Sequence, residues 1–351
     1  MSRMRAYVLH DIGDLRLDEV ERPAPAGGEA LIEVRAAGIC GSDIPRIYRT
    51  GAHRHPLVPG HEFSGVVAEA GDGGSGWVGK RVGVFPLIPC HECFPCRSGK
   101  YEMCRAYGYL GSRQDGAFAE YVTAPLDSLV ELPDGVSFEE AAMLEPMAVA
   151  VHAMRRAEVS PDDTVMVVGL GTIGILLAMF LRDMGAGRLL LVGNKDLQRS
   201  LALSLGIPEE DFCDSRERDA ASWCMERTGG CGVDCFFECV GREETAAIGM
   251  RAAAPSGRVV LVGNPASDMR LPKADYWSIL RNQLTVLGTW NSSFLHEPGD
   301  DWGYVLERLR EGRIYPRRMI SHRLPFEELE LGLAIMRDKT EEYCKVMMVM
   351  G

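Results

Sequence analysis

The chain has 351 residues, 46% hydrophobic and 25% charged, and a formal net charge of −12. Its length allows two domains with separate cores, and its composition is that of an ordinary soluble globular protein. The acidic balance argues against nucleic acid or an anionic membrane as a partner, and no apolar run approaches a membrane span. Short apolar stretches at 30–34, 63–68 and 79–85, broken by Gly and Pro clusters, predict β structure in the N-terminal part. The segment GDGGSG at 71–76 reads as a turn. From Ser137 the sequence SFEEAAMLEPMAVAVHAMRRA reads as helix, with Ser137 and Glu140 spaced as a capping box. Beyond Asp162, strands at 164–168, 188–192, 232–237, 256–262 and 284–287 alternate with helices, two of them at 173–184 and 198–205. Unbroken apolar strands joined by helical crossovers imply a parallel sheet buried on both faces. The predicted fold class is α/β. A β-rich domain takes 1–155 and 291–351, and a doubly wound dinucleotide-binding domain takes 156–290. The tail after 290 is expected to dock back onto the first domain. The apolar strand 284–290 is placed at a sheet edge, which invites a homodimer or homotetramer.

Cys90, Cys93, Cys96 and Cys104 read C-x2-C-x2-C-x7-C in a lobe at 86–110. Four thiolates at that spacing suit a closed tetrahedral zinc site, structural rather than catalytic. A disulfide pair, free thiols or an iron–sulfur cluster are the competing readings. Cys231, Cys235 and Cys239 in GGCGVDCFFECVG read as a strand interior. Cys213, Cys224 and Cys344 carry no legible signal. The start, MSRMRAYVLHD, lacks an export pattern, and eleven cysteines then fit a reducing cytoplasm.

Gly169-Leu170-Gly171-Thr172-Ile173-Gly174 follows a predicted strand and opens a helix. Gly169 makes the tight turn, Gly171 admits a pyrophosphate, and Gly174 lets helix and strand pack closely. The helix N-terminus, with Thr172 and Ile173, offers N–H groups to phosphate. At the end of the next strand, where an NAD site carries Asp or Glu, stands Gly193, followed by Asn194 and Lys195, with Arg199 close by. Losing the carboxylate lifts the repulsion against a 2′-phosphate, so NADP(H) is favoured; Asp196 keeps NAD(H) open.

Cys40-Gly41-Ser42-Asp43, Gly60-His61-Glu62 and Glu145-Pro146 supply a thiolate, an imidazole and carboxylates for a second metal. With the cysteine lobe and the glycine turn, these motifs resemble the zinc-dependent medium-chain dehydrogenases over nearly the whole chain. The resemblance implies a GroES-like catalytic domain built from both chain ends and a central Rossmann domain. It implies two Zn²⁺ per chain, the catalytic ion on Cys40 and His61 with Glu145 or Glu62 completing its sphere. It also places Cys239 and Val262 at the cofactor. Glu at 145 points to the polyol branch. CGSDIPRI (40–47), GAHRHP (51–56), GHEFSG (60–65), PLIPC (86–90), GSRQDGAFAEY (111–121) and EPMAVAVHA (145–153) resemble dehydrogenases of phosphorylated polyols.

In that chemistry Ser42 takes the hydroxyl proton and Asp43 orients His61. Pro45 stands where many relatives carry a relay histidine, leaving His53 or His55. Arg46, Arg49, Arg54 and Arg113 are the candidate phosphate ligands, Arg46 foremost because it follows Cys40 so closely. A sorbitol or other polyol dehydrogenase, a threonine dehydrogenase, a zinc-free quinone reductase relative and a redox sensor without turnover are the alternatives.

Overall fold

The computed structural model describes residues 2–297 and 299–351. It forms two compact units, Met1–Glu145 with Ser293–Gly351, and Pro146–Ser292.

The first unit is β-rich. An antiparallel hairpin, Arg3–Asp11 and Asp14–Glu21, precedes the main sheet. The main sheet runs in the order Ile320–Pro325, Lys345–Val349, Glu29–Ile39, Glu62–Ala70, Arg81–Val84 and Leu129–Glu131, with Tyr121–Pro125 also paired to Glu29–Ile39. The central strand Glu29–Ile39 spans 11 residues, pairs along one edge with Glu62–Ala70, and serves two further partners in turn along the other. Its first half pairs with Tyr121–Pro125 and its second half with Lys345–Val349. The tail of the chain thus enters the N-terminal sheet directly. Two pairings matter for the site: Gly38 opposes Glu62, and Ile39 opposes Val346. They bring the residues just before Cys40, the Glu62 carboxylate and the start of the last strand to one end of the sheet. Tyr7, Phe63 and Phe118 are fully buried in this unit's core.

The helix expected from Ser137 forms in two pieces, Phe138–Ala141 and Leu144–Arg156. The Ser137–Glu140 capping box is present, with the Ser137 hydroxyl accepting from the Glu140 N–H at 3.3 Å. Pro146 is the physical reason for the break. It has no N–H to bond back to residue 142, and it disfavours helical geometry at Glu145. The interruption sets Glu145 in the first turn of the second piece.

The second unit is a six-stranded parallel sheet in the order Phe212–Asp214, Arg188–Gly193, Thr164–Val168, Val233–Glu238, Ala253–Leu261 and Thr285–Gly288. Val165, Met166, Val167, Leu190, Leu191, Phe236 and Phe237 are wholly buried, as strands covered on both faces require. Helices Ala220–Arg227, Glu243–Ala252 and Lys273–Arg281 complete the crossovers. Strand Phe212–Asp214 escaped the sequence reading because three residues carry no periodicity. Thr285–Gly288 does lie at the sheet edge. The three-cysteine stretch is only partly strand interior: Cys235 is buried in Val233–Glu238, whereas Cys231 is exposed in the preceding glycine turn. Among the described residues no helix is long and apolar enough to cross a membrane.

Candidate active site and metal centres

The four lobe cysteines converge. Sγ separations are 4.0 Å for Cys90–Cys96, 3.5 Å for Cys93–Cys96 and 3.9 Å for Cys93–Cys104. A disulfide needs about 2.05 Å, and all four cysteines are free. A tetrahedral ion with Zn–S bonds of about 2.3 Å has edges of about 3.8 Å, so the spacing fits one ion held by four sulfurs. The backbone prepares the thiolates. The Cys90 N–H donates to Cys104 Sγ at 3.3 Å. The N–H groups of Arg105 and Cys96 pull the Cys93 thiol down to about 6.

A second convergence stands at the sheet end. Donor atoms of Cys40, His61 and Glu62 all lie within 4.8 Å of one another. His61 and Glu62 are nearly inaccessible, at 3% and 2% exposure. Three mixed N, O and S donors converging in a buried place suit a borderline-soft ion. The local chain makes the cluster. The N–H and hydroxyl of Ser42 point back at Cys40 Sγ, at 3.5 and 3.3 Å. Asp43 is fully buried; its Oδ2 accepts the Cys40 N–H at 2.9 Å and its Oδ1 accepts Arg46 Nη1 at 2.5 Å. The same Oδ1 lies 3.4 Å from His61 Nδ1, close enough for an ion pair but misaligned for a hydrogen bond. Burial works against the Asp43 carboxylate, and His61 and Arg46 overcome it, holding its pKa below the usual value. Gly60 precedes His61 at φ 96°, a conformation that a side chain would strain, and the Phe118 ring fills the space a Cβ would need.

Glu145 lies outside that 4.8 Å set. Its Oε1 instead accepts the Tyr109 hydroxyl at 3.1 Å. Burial pushes the Glu145 carboxyl up to about 7, aided by Glu62 and opposed by His61. The expected trio of Cys40, His61 and Glu145 therefore closes less tightly than Cys40, His61 and Glu62. Glu62 is in turn engaged from behind by Lys345, a residue with no sequence signal of function.

In the second unit Gly169 takes φ 95°, and Gly171 caps helix Thr172–Met184. The Gly169–Gly174 turn lies beside the ends of strands Thr164–Val168 and Val233–Glu238. Those are the neighbours where the strand order reverses, the usual ligand position in such sheets. Cys239 and Val262 stand just past adjacent strand ends, the Cys239 N–H on Val168 O and the Val262 N–H on Glu238 O, both at 2.9 Å. Burial raises the Cys239 thiol pKa, which keeps it protonated. At Gly174 a Cβ would sit 2.0 Å from Gly169 O. Gly174→Ala is accordingly expected to destabilise the unit by about 1–3 kcal/mol and to weaken dinucleotide binding. A thermal melt and a fluorescence titration with reduced cofactor check this, and wild-type values in both would contradict it.

No carboxylate occupies the end of strand Arg188–Gly193. Gln198 fills that place, its Oε1 accepting the Asn194 N–H at 2.9 Å. Arg199 pairs with Glu209, and its charge also favours the Asp214 carboxylate. Arg216 pairs at 2.6 Å with Asp214, which lies in register with Gly193, and at 2.7 Å with Asp196. Its neighbour Ser215 donates its N–H to Gly193 O at 2.9 Å.

Residues 26–134 match the family model described as alcohol dehydrogenase GroES-like domain, and 172–311 match zinc-binding dehydrogenase. The chain is 32% identical over 300 residues to galactitol 1-phosphate 5-dehydrogenase of Escherichia coli strain K12, covering 85% of this chain and 86% of that one. The chain belongs to the zinc-binding alcohol dehydrogenase family. This dehydrogenase is also 32% identical over 338 residues to L-idonate 5-dehydrogenase of Vitis vinifera, covering 94% and 90% of the two chains. A zinc-binding dehydrogenase from Sinorhizobium meliloti 1021, solved bound to NADP, superposes with a TM-score of 0.90 at 29% identity, covering 99% of this chain and 100% of that one.

Three residues that pack against the predicted site residues had no local signal. Tyr109 stacks edge-on to His61 with centroids 5.7 Å apart, Lys345 arrives from the last strand, and Arg216 arrives from a loop after an unpredicted strand. His55, one of the two candidate relay histidines, is used by its own loop: Nε2 accepts the Ala52 N–H and Nδ1 lies 3.3 Å from Leu9 O.

Proposed function

We propose that this dehydrogenase interconverts a secondary hydroxyl of a polyol or polyol phosphate and the matching ketone, with NADP(H) favoured over NAD(H). The observation that carries the reading is the buried convergence of Cys40, His61 and Glu62 within 4.8 Å. Relatives named for galactitol 1-phosphate and for sorbitol support the substrate class. Zinc would be held by Cys40, His61 and Glu62, with Glu145 and its Tyr109 partner completing the site. A second zinc would be held by the four lobe cysteines. When bound, the ion would supply Lewis acidity that eases ionisation of the hydroxyl, and the dinucleotide would supply a hydride acceptor. The residues do the rest. Asp43 fixes His61 and, through its other oxygen, the Cys40 backbone. Ser42 holds its hydroxyl on Cys40 Sγ, from where it would accept the substrate's proton while releasing its own into a relay through the ribose of the bound dinucleotide. A turnover screen of polyols and their phosphates, with both nicotinamides and with or without chelator, tests the reading. No oxidation by the metal-loaded enzyme would reject it and favour a redox sensor.

The dinucleotide would lie on Gly169, Gly171, Thr172, Ile173 and Gly174, with Cys239 and Val262 nearby. The preference for NADP(H) rests on Gly193 and Asn194, which give strand Arg188–Gly193 no carboxylate of its own at its end, and on Lys195 and Arg216, whose cations would outweigh Asp214 on the neighbouring strand. Charge-assisted contacts to a 2′-phosphate predict a kcat/KM ratio of NADP to NAD of about 10- to 100-fold. A ratio favouring NAD would place the ribose on Asp214 or Asp196 instead.

The same reading makes the enzyme a homodimer or homotetramer. Its support is the edge strand Thr285–Gly288 with Val286 exposed, and the exposed Tyr276, Trp277, Leu280 and Trp290.

A further inference from the structure

Three of the four candidate phosphate arginines are already committed or fully solvated. Arg46 is spent on Asp43, and Arg54 pairs with Asp115 at 2.8 Å. Arg49 stands exposed on the short helix Arg46–Thr50. Arg113 differs. Its guanidinium lies over the Tyr107 ring, 4.6 Å from the centroid, and no carboxylate pairs with it among the described residues. Its Nε is buried without a hydrogen-bond partner. A buried charged N–H lacking an acceptor is costly, so such a place is built for an acceptor that arrives from outside.

The position also connects to the metal centre. Tyr107 packs edge-on to Tyr109 at 6.2 Å, and Tyr109 packs edge-on to His61 at 5.7 Å. A rigid aromatic ladder therefore runs from Arg113 to the histidine of the reaction centre.

We infer that Arg113 forms the subsite for the phosphate of a phosphorylated polyol and makes the enzyme select it over the free polyol. The inference rests on the polyol dehydrogenase reading above. The planar fork of Arg113, held flat on Tyr107, is matched to two phosphate oxygens at once, which a lysine cannot reproduce.

The experiment compares galactitol 1-phosphate with galactitol as substrates of the zinc-loaded enzyme, and measures inorganic phosphate binding by calorimetry. The wild type is expected to favour the phosphorylated polyol in kcat/KM by about 10- to 100-fold. Arg113→Gln should reduce that ratio at least tenfold, chiefly through KM, and weaken phosphate binding by a similar factor. Arg113→Lys should restore part of both, which separates recognition from folding. A ratio that is unchanged in Arg113→Gln, or a wild type that favours the free polyol, overturns the subsite. If the wild type oxidises neither compound, the polyol reading fails, and calorimetry still decides whether Arg113 binds phosphate.

Discussion

Lys345→Met is expected to lower the free energy of unfolding by about 3–5 kcal/mol, the usual effect of stripping one partner from a buried ion pair. Lys345 is 1% exposed; its Nζ donates to Glu62 Oε2 and, at 3.1 Å, to Ile39 O. Burial opposes the ammonium, and Glu62 and Cys40 outweigh it, so Lys345 holds its charge with a pKa above the usual lysine value. Without that charge, the Glu62 carboxylate and the Ile39 carbonyl remain buried with nothing in place of Nζ. Gly38 leaves the room for the pair, since a Cβ there would sit 2.4 Å from Glu62 Oε2 and 2.6 Å from Lys345 Cε. Pairing Lys345→Met with Glu62→Gln should recover most of the loss, because no uncompensated ion is then buried. Urea unfolding of the proteins stripped of metal by chelator measures both. A single-variant loss below about 1 kcal/mol, the scale of an exposed pair, would show that the pair contributes no more than a surface contact.

The largest effect on rate is expected at the other end of the same cluster. Cys40→Ala should lower kcat/KM at least a thousandfold, about 4 kcal/mol of transition-state stabilisation. It should also remove the zinc proposed for the Cys40 centre and leave the one proposed for the cysteine lobe. The reason is geometric. Cys40 is the thiolate donor of a three-residue set, and the Ser42 hydroxyl is aligned on its sulfur at 3.3 Å. Cys93→Ser supplies the contrast. It should also release one ion, but at the cost of lobe stability, with residual turnover by the intact Cys40 centre. Metal analysis with steady-state kinetics reads both variants. A Cys40→Ala enzyme that keeps two ions and wild-type rates would refute the metal-centre assignment.

Much of the fold was legible because its signals are local. The strand Thr164–Val168, the glycine turn and the helix after it are contiguous, and their periodicities differ. The Ser137–Glu140 cap was legible for the same reason, since both partners lie on one turn. Pro146 carried a readable warning that the helix would break. Strand Phe212–Asp214 was too short to announce itself, and with it Arg216 was lost. Arg199 looked available by spacing alone, but its helix turns it toward Glu209.

The amino-acid order by itself determined the chemistry that adjacent residues can make. It placed four thiols at ligand spacing in one lobe, three glycines at a strand–helix junction, and Ser42 and Asp43 beside Cys40. Those arrangements depend only on short-range backbone geometry, so they survive reading in one dimension. Only the tertiary structure decided what stands behind the reaction centre. Lys345 and Glu62 are 283 positions apart and meet because the last strand pairs with the second half of Glu29–Ile39. Tyr109 reaches Glu145, and Arg113 settles on Tyr107, through loop packing that leaves no periodic trace in the sequence. Sheet pairing between distant segments is set by burial of the whole core, and no stretch of chain contains that information alone.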